Sequence, residues 1–205
     1  MTEPTTSITD FLLALELFLF SYLTFRSNPG EWSVFFWAIA LALLGISALA
    51  GGLYHGFSAS STVWKITAIS LVATVGFMIA AGIVSLALDD AQLALLLVTE
   101  VPLLILIVRL LAQRQASVQV PGSRRWILVV ILALIAAFHV QIYVEGPAIG
   151  IWFLAGSLII FVGLWIQQSG FTPHKHFNHN DLCHVIFMIG MYFLYRGGLL
   201  LRDNM

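Results

Sequence analysis

The feature that most constrains this chain is a series of apolar stretches, each about as long as a bilayer is thick. A transmembrane α-helix needs about 20 mostly apolar residues, and seven such runs follow one another, at approximately 8–25, 32–55, 63–88, 91–112, 125–144, 147–167 and 181–201. The chain is 60% hydrophobic and 9% charged, whereas a soluble domain carries about 25% charged residues. The sequence therefore predicts an all-α integral membrane protein, a single seven-helix bundle that occupies residues 1–205.

The breaks between the runs leave no room for a soluble domain. Most are short turns, such as those formed by Pro29-Gly30 and by Asp89-Asp90. The longest loop, 167–180, carries three of the six histidines, His174, His176 and His179. The amino terminus lacks the positive region and the cleavage site of a signal peptide, so we expect the first helix to remain in the mature protein.

The loop charges predict how the bundle is oriented and what it meets. Cytoplasmic loops are enriched in lysine and arginine, and a cytoplasmic amino terminus places six of the nine cations inside and three outside: Lys65, Arg109, Arg114, Arg124, Arg125 and Lys175 against Arg26, Arg196 and Arg202. We therefore expect an N-in, C-out protein of a bacterial inner (plasma) membrane. A net charge of -1 gives no basic face for nucleic acid, so the expected partner is membrane lipid.

Under this topology, polar residues from four helices lie at the cytoplasmic end of the bundle. The first helix contributes Asp10, the second His55, the sixth Gln167, and the seventh Asp181 and His184. Ionisable groups inside a membrane are costly unless they are paired or wet, and for that reason they usually mark functional sites.

The second run ends in a histidine that follows small residues. Ser47, Gly51 and His55 recur every four residues and therefore lie on one helical stripe. Small residues on such a stripe let a neighbouring backbone approach closely. His55 is a candidate ligand or catalytic group, and the alternative is a histidine hydrogen-bonded at a helix end.

The seventh run opens with the polar stretch that contains Asn180, Asp181 and His184. Residues three and four apart share a helical face, so Asn180 and Asp181 can each meet His184. His179 diverges from His184 by about 140° on an ideal helix, so both can reach one ion only if the helix begins after His179. Asn180 or Asp181 alternatively serves as the helix N-cap, a position that favours both residue types.

Two acidic residues belong to the first run. Asp10 either caps that helix or contributes to the polar end, and Glu16 lies about 9 Å deeper along the same helix. Glu16 stands between Leu15 and Leu17, so it must face the bundle, either in a structural hydrogen bond or in a site. Glu100 and His139, in the fourth and fifth runs, are expected to form a structural contact.

Three features together form a recognisable pattern: seven helices, a histidine that closes the second helix after a stripe of small residues, and a histidine one turn into the seventh helix. It resembles the CREST superfamily of membrane hydrolases, which comprises alkaline ceramidases, progestin-and-adipoQ receptors, hemolysin III proteins and Per1 lipid-remodelling proteins. The chain departs from their pattern at Asn180 and Gly51, where those families have histidine and serine. The stretch from Phe177 to Gly198 is also similar to an uncharacterised bacterial membrane family.

The resemblance implies a zinc-dependent hydrolase of a lipid amide or ester, with its site at the cytoplasmic end. His55 and His184 match the zinc-binding histidines of the superfamily. Catalytic zinc commonly has three protein ligands and an open water position, so a third ligand is needed from among His179, Asp181, Asp10 and Glu16. The acids not used as ligands are candidate catalytic groups, and Asn180 and Ser47 are neighbouring polar residues.

Two other functions are compatible with the same residues. A non-enzymatic membrane protein would use the polar cluster to bind a lipid or small ligand, or only as structure. A proton-coupled carrier would use Glu16, Glu100 and His139. The carrier requires a continuous wet path that links those three residues, whereas the hydrolase requires a closed cluster at one end of the bundle.

Overall fold

The structure is a computed structural model that describes residues 3–57, 60–85, 101, 104–105 and 146–203. Five helices of 20 residues or more form these ranges: α1 (Pro4–Ser27), α2 (Trp32–Gly56), α3 (Ser61–Ser85), α4 (Pro147–Ser169) and α5 (His179–Gly198). The described part contains no β-strand. The expected spans 91–112 and 125–144, with Glu100 and His139, lie outside the described residues.

Four of the five helices are long and apolar enough to cross a membrane: α1, α2, α3 and, from Ala148 onward, α4. This confirms the expectation of a helical membrane protein with transmembrane helices. Helix α5 is not among the four. Its first two turns hold the polar residues His179, Asn180, Asp181 and His184, which reduce the apolarity of the whole segment.

Three helix starts differ from the sequence-based boundaries, those of α1, α3 and α5, and the differences in α1 and α5 concern the polar residues. Helix α1 begins at Pro4 rather than near residue 8, since the fixed φ of proline suits the first helical position. Helix α5 begins at His179, with Asn178 as its N-cap, so the expectation that Asn180 or Asp181 takes the N-cap position is wrong. The side chain of Asn178 caps the helix by accepting from the backbone N–H groups of both those residues.

The helices pack in the order α3–α2–α1–α5–α4, with α1 in the centre. Helices α1 and α5 run parallel, and the Phe20 ring stacks on the Tyr195 ring with centroids 4.3 Å apart. Helices α2 and α4 run in the opposite direction. The first turns of α1 and α5 and the last turns of α2 and α4 therefore meet at one end of the bundle, called here the site end.

The rest of the core is apolar and keeps these helices in place. Trp37 of α2 is fully buried and meets the edge of the Phe153 ring of α4 at 4.9 Å between centroids. Helices α4 and α5 cross at two glycines: a Cβ added to Gly190 would lie 3.1 Å from the carbonyl oxygen of Gly156. Small residues allow this approach of two backbones, as expected for helices that pack within a membrane.

Candidate functional site

The site end is built on a hydrogen bond between α1 and α5. The Thr6 hydroxyl donates to Asp181 Oδ1 at 2.7 Å, and both residues are buried. The other oxygen of Asp181 accepts from the backbone N–H of Asn178 at 2.7 Å. Because the Asn178 side chain in turn accepts from the Asp181 N–H, the two residues form a capping box. Asp181 thus fixes the start of α5 and attaches it to α1.

One turn further along both helices, Asp10 faces His184. Asp10 Oδ1 lies 3.3 Å from His184 Nε2, and the two side chains are only 7% and 13% exposed. The other ring nitrogen, Nδ1, lies 3.0 Å from the Thr9 hydroxyl oxygen. That hydroxyl is also 3.0 Å from the carbonyl oxygen of Thr6, one turn earlier in α1. Both nitrogens of His184 therefore contact side chains of α1.

The end of α2 meets the start of α1 on its other side. His55 Nδ1 lies 2.8 Å from Glu3 Oε2, and the Glu3 backbone N–H donates to the His55 carbonyl oxygen at 3.3 Å. The Ser7 hydroxyl donates to the carbonyl oxygen of Gly52 at 2.8 Å. These contacts attach the amino-terminal turn of α1 to the last turn of α2, with the His55 and Glu3 side chains at the more exposed margin of the site.

Gly51 makes room for the Asp10 carboxylate. A Cβ at position 51 would lie 3.2 Å from Asp10 Oδ2, which is tighter than nine in ten contacts that real Cβ atoms make. The oxygen Oδ2 is itself buried, with no hydrogen-bond partner among the described residues. Gly51, where the families that the chain resembles have serine, therefore faces a carboxylate oxygen that has no hydrogen-bond partner among the described residues.

The charges at the site end favour a cation or a bound proton. Three carboxylates, those of Glu3, Asp10 and Asp181, lie near two histidines, His55 and His184. Asp10 is 5% exposed and Asp181 1% exposed. A buried carboxylate without a positive partner is strongly destabilising, so the burial of Asp10 favours states in which a proton or a cation neutralises its charge.

The remaining residues expected at the site lie around this cluster rather than in it. Asn180 Oδ1 accepts from the Gln167 side chain at 3.2 Å, which connects α5 to α4 at the site end. His179 is the first residue of α5, so the condition under which it would reach the same ion as His184 is not met. Its Nδ1 is buried without a hydrogen-bond partner in the described part.

Two further residues lie away from the cluster. The Ser47 hydroxyl donates to the Thr67 carbonyl oxygen of α3 at 2.9 Å, so Ser47 belongs to the α2–α3 contact. Glu16 lies six residues beyond Asp10 in α1, half-buried, and its Oε2 has no hydrogen-bond partner among the residues that the structure describes. Neither side chain contacts Asp10 or His184 through a hydrogen bond that the structure records.

No three histidine, cysteine, aspartate or glutamate side chains within the described ranges are close enough together to hold a metal ion as they stand. Two potential ligand atoms, Asp10 Oδ1 and His184 Nε2, are adjacent. His55 lies one turn beyond Gly51, the residue that contacts Asp10.

The structure adds polar residues that the sequence analysis did not single out. Thr6, Ser7 and Thr9 of α1 contact α5 or α2, while Glu3 and Asn178 stand directly before α1 and α5. The available signal was Pro4, since proline is favoured at the first position of a helix. Starting α1 at Pro4 places the hydroxyl residues in its first two turns.

An open groove also lies between α1 and α2, outside the site. It encloses about 330 Å³ and is lined by apolar and aromatic residues that include Phe18, Tyr22, Phe35 and Ala38. These residues are near the other ends of the two helices. The groove is therefore separate from the Asp10–His184 pair.

Comparison with known proteins identifies the family of the chain and no activity. A family model described as a family of unknown function, DUF6962, matches residues 5–203. The match covers nearly the whole chain, which therefore belongs to this family. No curated protein and no solved structure matches the chain significantly.

Proposed function

We propose that this member of the DUF6962 family is a zinc-dependent membrane hydrolase that acts on a lipid amide or ester. The observation that supports this most is the buried pairing of Asp10 with His184 at the site end. Zinc when bound would polarise a carbonyl group and lower the pKa of a bound water to about 7. Asp10, His184 and His55 are the residues that we assign to hold it.

The separation of Asp10 from His184 fits two ligands of one ion. Zinc binds nitrogen and oxygen at about 2.0–2.1 Å with tetrahedral geometry, which puts two ligand atoms about 3.3 Å apart. The distance between Asp10 Oδ1 and His184 Nε2 is 3.3 Å, slightly longer than a usual N–H···O hydrogen bond. The unpartnered Asp10 Oδ2 leaves this carboxylate with spare capacity to accept.

His55 is the third donor that we assign, because of how its ring is held. Metal-binding histidines usually donate one ring N–H to a carboxylate or another oxygen, which orients the ring and keeps the second nitrogen as the ligand. The Glu3 carboxylate lies 2.8 Å from His55 Nδ1. With a proton on Nδ1, facing this carboxylate, Nε2 would carry the lone pair that binds the ion.

The chain's own groups also supply a proton acceptor. Asp10 Oδ2 is buried beside Gly51 without a hydrogen-bond partner in the described part. We assign it to accept a proton from the water that attacks the substrate carbonyl carbon. The same proton would then be available to the departing alcohol or amine, as in general acid–base catalysis.

The depth of the site supports a lipid substrate. Helix α1 has 24 residues and is about 36 Å long, about 6 Å more than the hydrocarbon core of a bilayer. Asp10 lies six residues from the start of α1, about 9 Å along its axis. If the helix is centred in the bilayer, that depth is about 6 Å inside the hydrocarbon core, within reach of the ester and amide bonds of membrane lipids at the boundary between head groups and acyl chains.

The seven-span, N-in topology of a bacterial inner membrane protein is part of the same proposal. Helix α3 ends, and α4 begins, at the end of the bundle opposite the site. The proposal places two crossings between these two ends, at the apolar runs that the sequence contains. These runs, 91–112 and 125–144, lie outside the described residues apart from 101 and 104–105, and the loop cations favour a cytoplasmic site end.

The test is zinc content per chain in protein purified without chelator. Wild type should carry about one zinc, and His184→Ala and Asp10→Asn should each lose it, because each removes one atom of the adjacent pair. His174→Ala is the matched control, since His174 lies on the exposed loop before α5. Hydrolysis of fluorescent lipid amides and esters should follow the zinc content.

Two results would contradict the proposal. One is wild-type protein that holds no zinc after purification and addition of the metal. The other is His184→Ala protein that retains both zinc and hydrolysis.

A second candidate function, a non-enzymatic protein that binds a lipid or small ligand, is favoured by one observation. Both carboxylate oxygens of Asp181 are occupied, by Thr6 and by the Asn178 backbone. This acid therefore has a structural role at the start of α5. If wild type binds lipid but neither zinc nor a hydrolysable substrate, the site end is a recognition and packing element.

A further inference from the structure

The Thr9 hydroxyl group lies between a carbonyl oxygen and a histidine ring nitrogen but has only one proton to donate. Its oxygen lies 3.0 Å from the Thr6 carbonyl oxygen, which can only accept, and 3.0 Å from His184 Nδ1. A hydroxyl donates once and can accept as well. If it donates to the carbonyl, it must accept from the histidine, and His184 Nδ1 then carries a proton.

From this arrangement we infer that Thr9 is a positioning residue that fixes the tautomer of His184. With the proton on Nδ1, the lone pair of Nε2 points at Asp10 Oδ1, 3.3 Å away. Two lone pairs facing each other in a buried site repel, so the gap takes up a cation or a proton. Thr9 thereby makes Nε2 the ligand nitrogen.

Burial of Thr9 and His184 strengthens the assignment of the His184 tautomer. Thr9 is 6% exposed and the His184 side chain 13%, so little water is available to replace a missing partner. In a metal-binding histidine, the hydrogen-bond partner of one ring nitrogen determines that the other ring nitrogen binds the metal. The inference rests on the proposed zinc site for its function, but the tautomer itself can be measured without metal.

The experiment combines nitrogen NMR with zinc titration of the full chain in detergent. The protein is labelled with ¹⁵N-histidine, and the His184 signals are identified by their loss in His184→Asn. In metal-free wild type, Nδ1 of His184 should be protonated. In Thr9→Val, which keeps the shape but not the hydroxyl, Nδ1 should become bare and Nε2–H should donate to Asp10.

The zinc titration measures the consequence of the tautomer. Loss of a partner that orients a metal-binding histidine typically weakens metal affinity 10- to 100-fold, so Thr9→Val should bind zinc about 10- to 100-fold more weakly. Thr9→Ser keeps the hydroxyl and should bind like wild type. The control is Thr24→Val, a change to a buried threonine of the same helix whose hydroxyl has no hydrogen-bond partner in the described part.

Each outcome decides the inference. A bare Nδ1 in wild type, or unchanged His184 signals in Thr9→Val, would overturn it. If Thr9→Val does not fold, the wild-type spectrum alone still distinguishes the two tautomers. If wild type binds no zinc, the proposed hydrolase fails, whereas a protonated Nδ1 that is lost on removing the hydroxyl still supports the role of Thr9.

Discussion

Removal of the Thr6 hydroxyl should loosen the attachment of α1 to α5. In Thr6→Val the shape is nearly unchanged, but Asp181 Oδ1 loses the donor that lies 2.7 Å away. Because Asp181 is 1% exposed, water cannot replace the lost bond. Hydrogen bonds to charged groups contribute about 1.5–3 kcal/mol.

The membrane setting places the expected effect at the lower end of that range. Hydrogen bonds between transmembrane helices average about 0.6 kcal/mol and reach about 1.7 kcal/mol. This bond is buried and charged, so we expect a loss of about 1.5–2 kcal/mol in the free energy of unfolding. That corresponds to a decrease of about 10- to 30-fold in the ratio of folded to unfolded protein.

The assay is reversible unfolding in mixed micelles, monitored by tryptophan fluorescence. Thr24→Val is again the matched control, because Thr24 is buried in α1 and its hydroxyl has no partner among the described residues. We expect this control to be neutral or slightly stabilising. If Thr6→Val and Thr24→Val agree within about 0.5 kcal/mol, a threshold typical of surface changes, the Thr6–Asp181 bond does not hold the two helices together.

Three further changes test other contacts of the fold. Gly190→Ala should cost about 1–3 kcal/mol of stability through overpacking, because the new Cβ would lie 3.1 Å from the Gly156 carbonyl oxygen. If this variant is as stable as wild type in the same micelle assay, α4 and α5 can move apart freely. Asp203→Ala should lower the free energy of unfolding by about 1 kcal/mol, since the Asp203 carboxylate accepts from the first two backbone N–H groups of α2 at 2.7 and 2.8 Å. A thermal melt identical to that of wild type would refute this capping role. Gly51→Ala should weaken zinc binding, because its Cβ would lie 3.2 Å from Asp10 Oδ2, and unchanged affinity in the titration would place Asp10 outside the metal site.

The composition and spacing of the apolar runs were sufficient to predict the helices. Each of the five described helices coincides with a predicted run to within about four residues at the ends that are described. The shared polar end also followed from the sequence, because antiparallel neighbours bring the start of one helix to the end of the next. Glu3 meets His55, and Gln167 meets Asn180, at that end.

The roles of the individual acids at that end did not follow from the sequence. Asp10 and Asp181 were both candidate catalytic residues, yet one faces His184 and the other is held by Thr6 and the backbone of Asn178. The difference arises from side-chain contacts between α1 and α5 that join residues about 175 positions apart in the chain. No local pattern specifies such a contact.

The sequence by itself determined that this chain forms apolar helices long enough to cross a bilayer, because hydrocarbon selects for apolar runs of a fixed length and the backbone must satisfy its own hydrogen bonds there. Only the tertiary structure decided which polar groups meet. The parallel packing of α1 on α5 brings Thr9 and Asp10 to His184, and the small residue Gly51 lets α2 close against the same carboxylate. The periodicity of one helix gives the face of a residue, whereas its partner depends on the order and rotation of all the helices in the bundle.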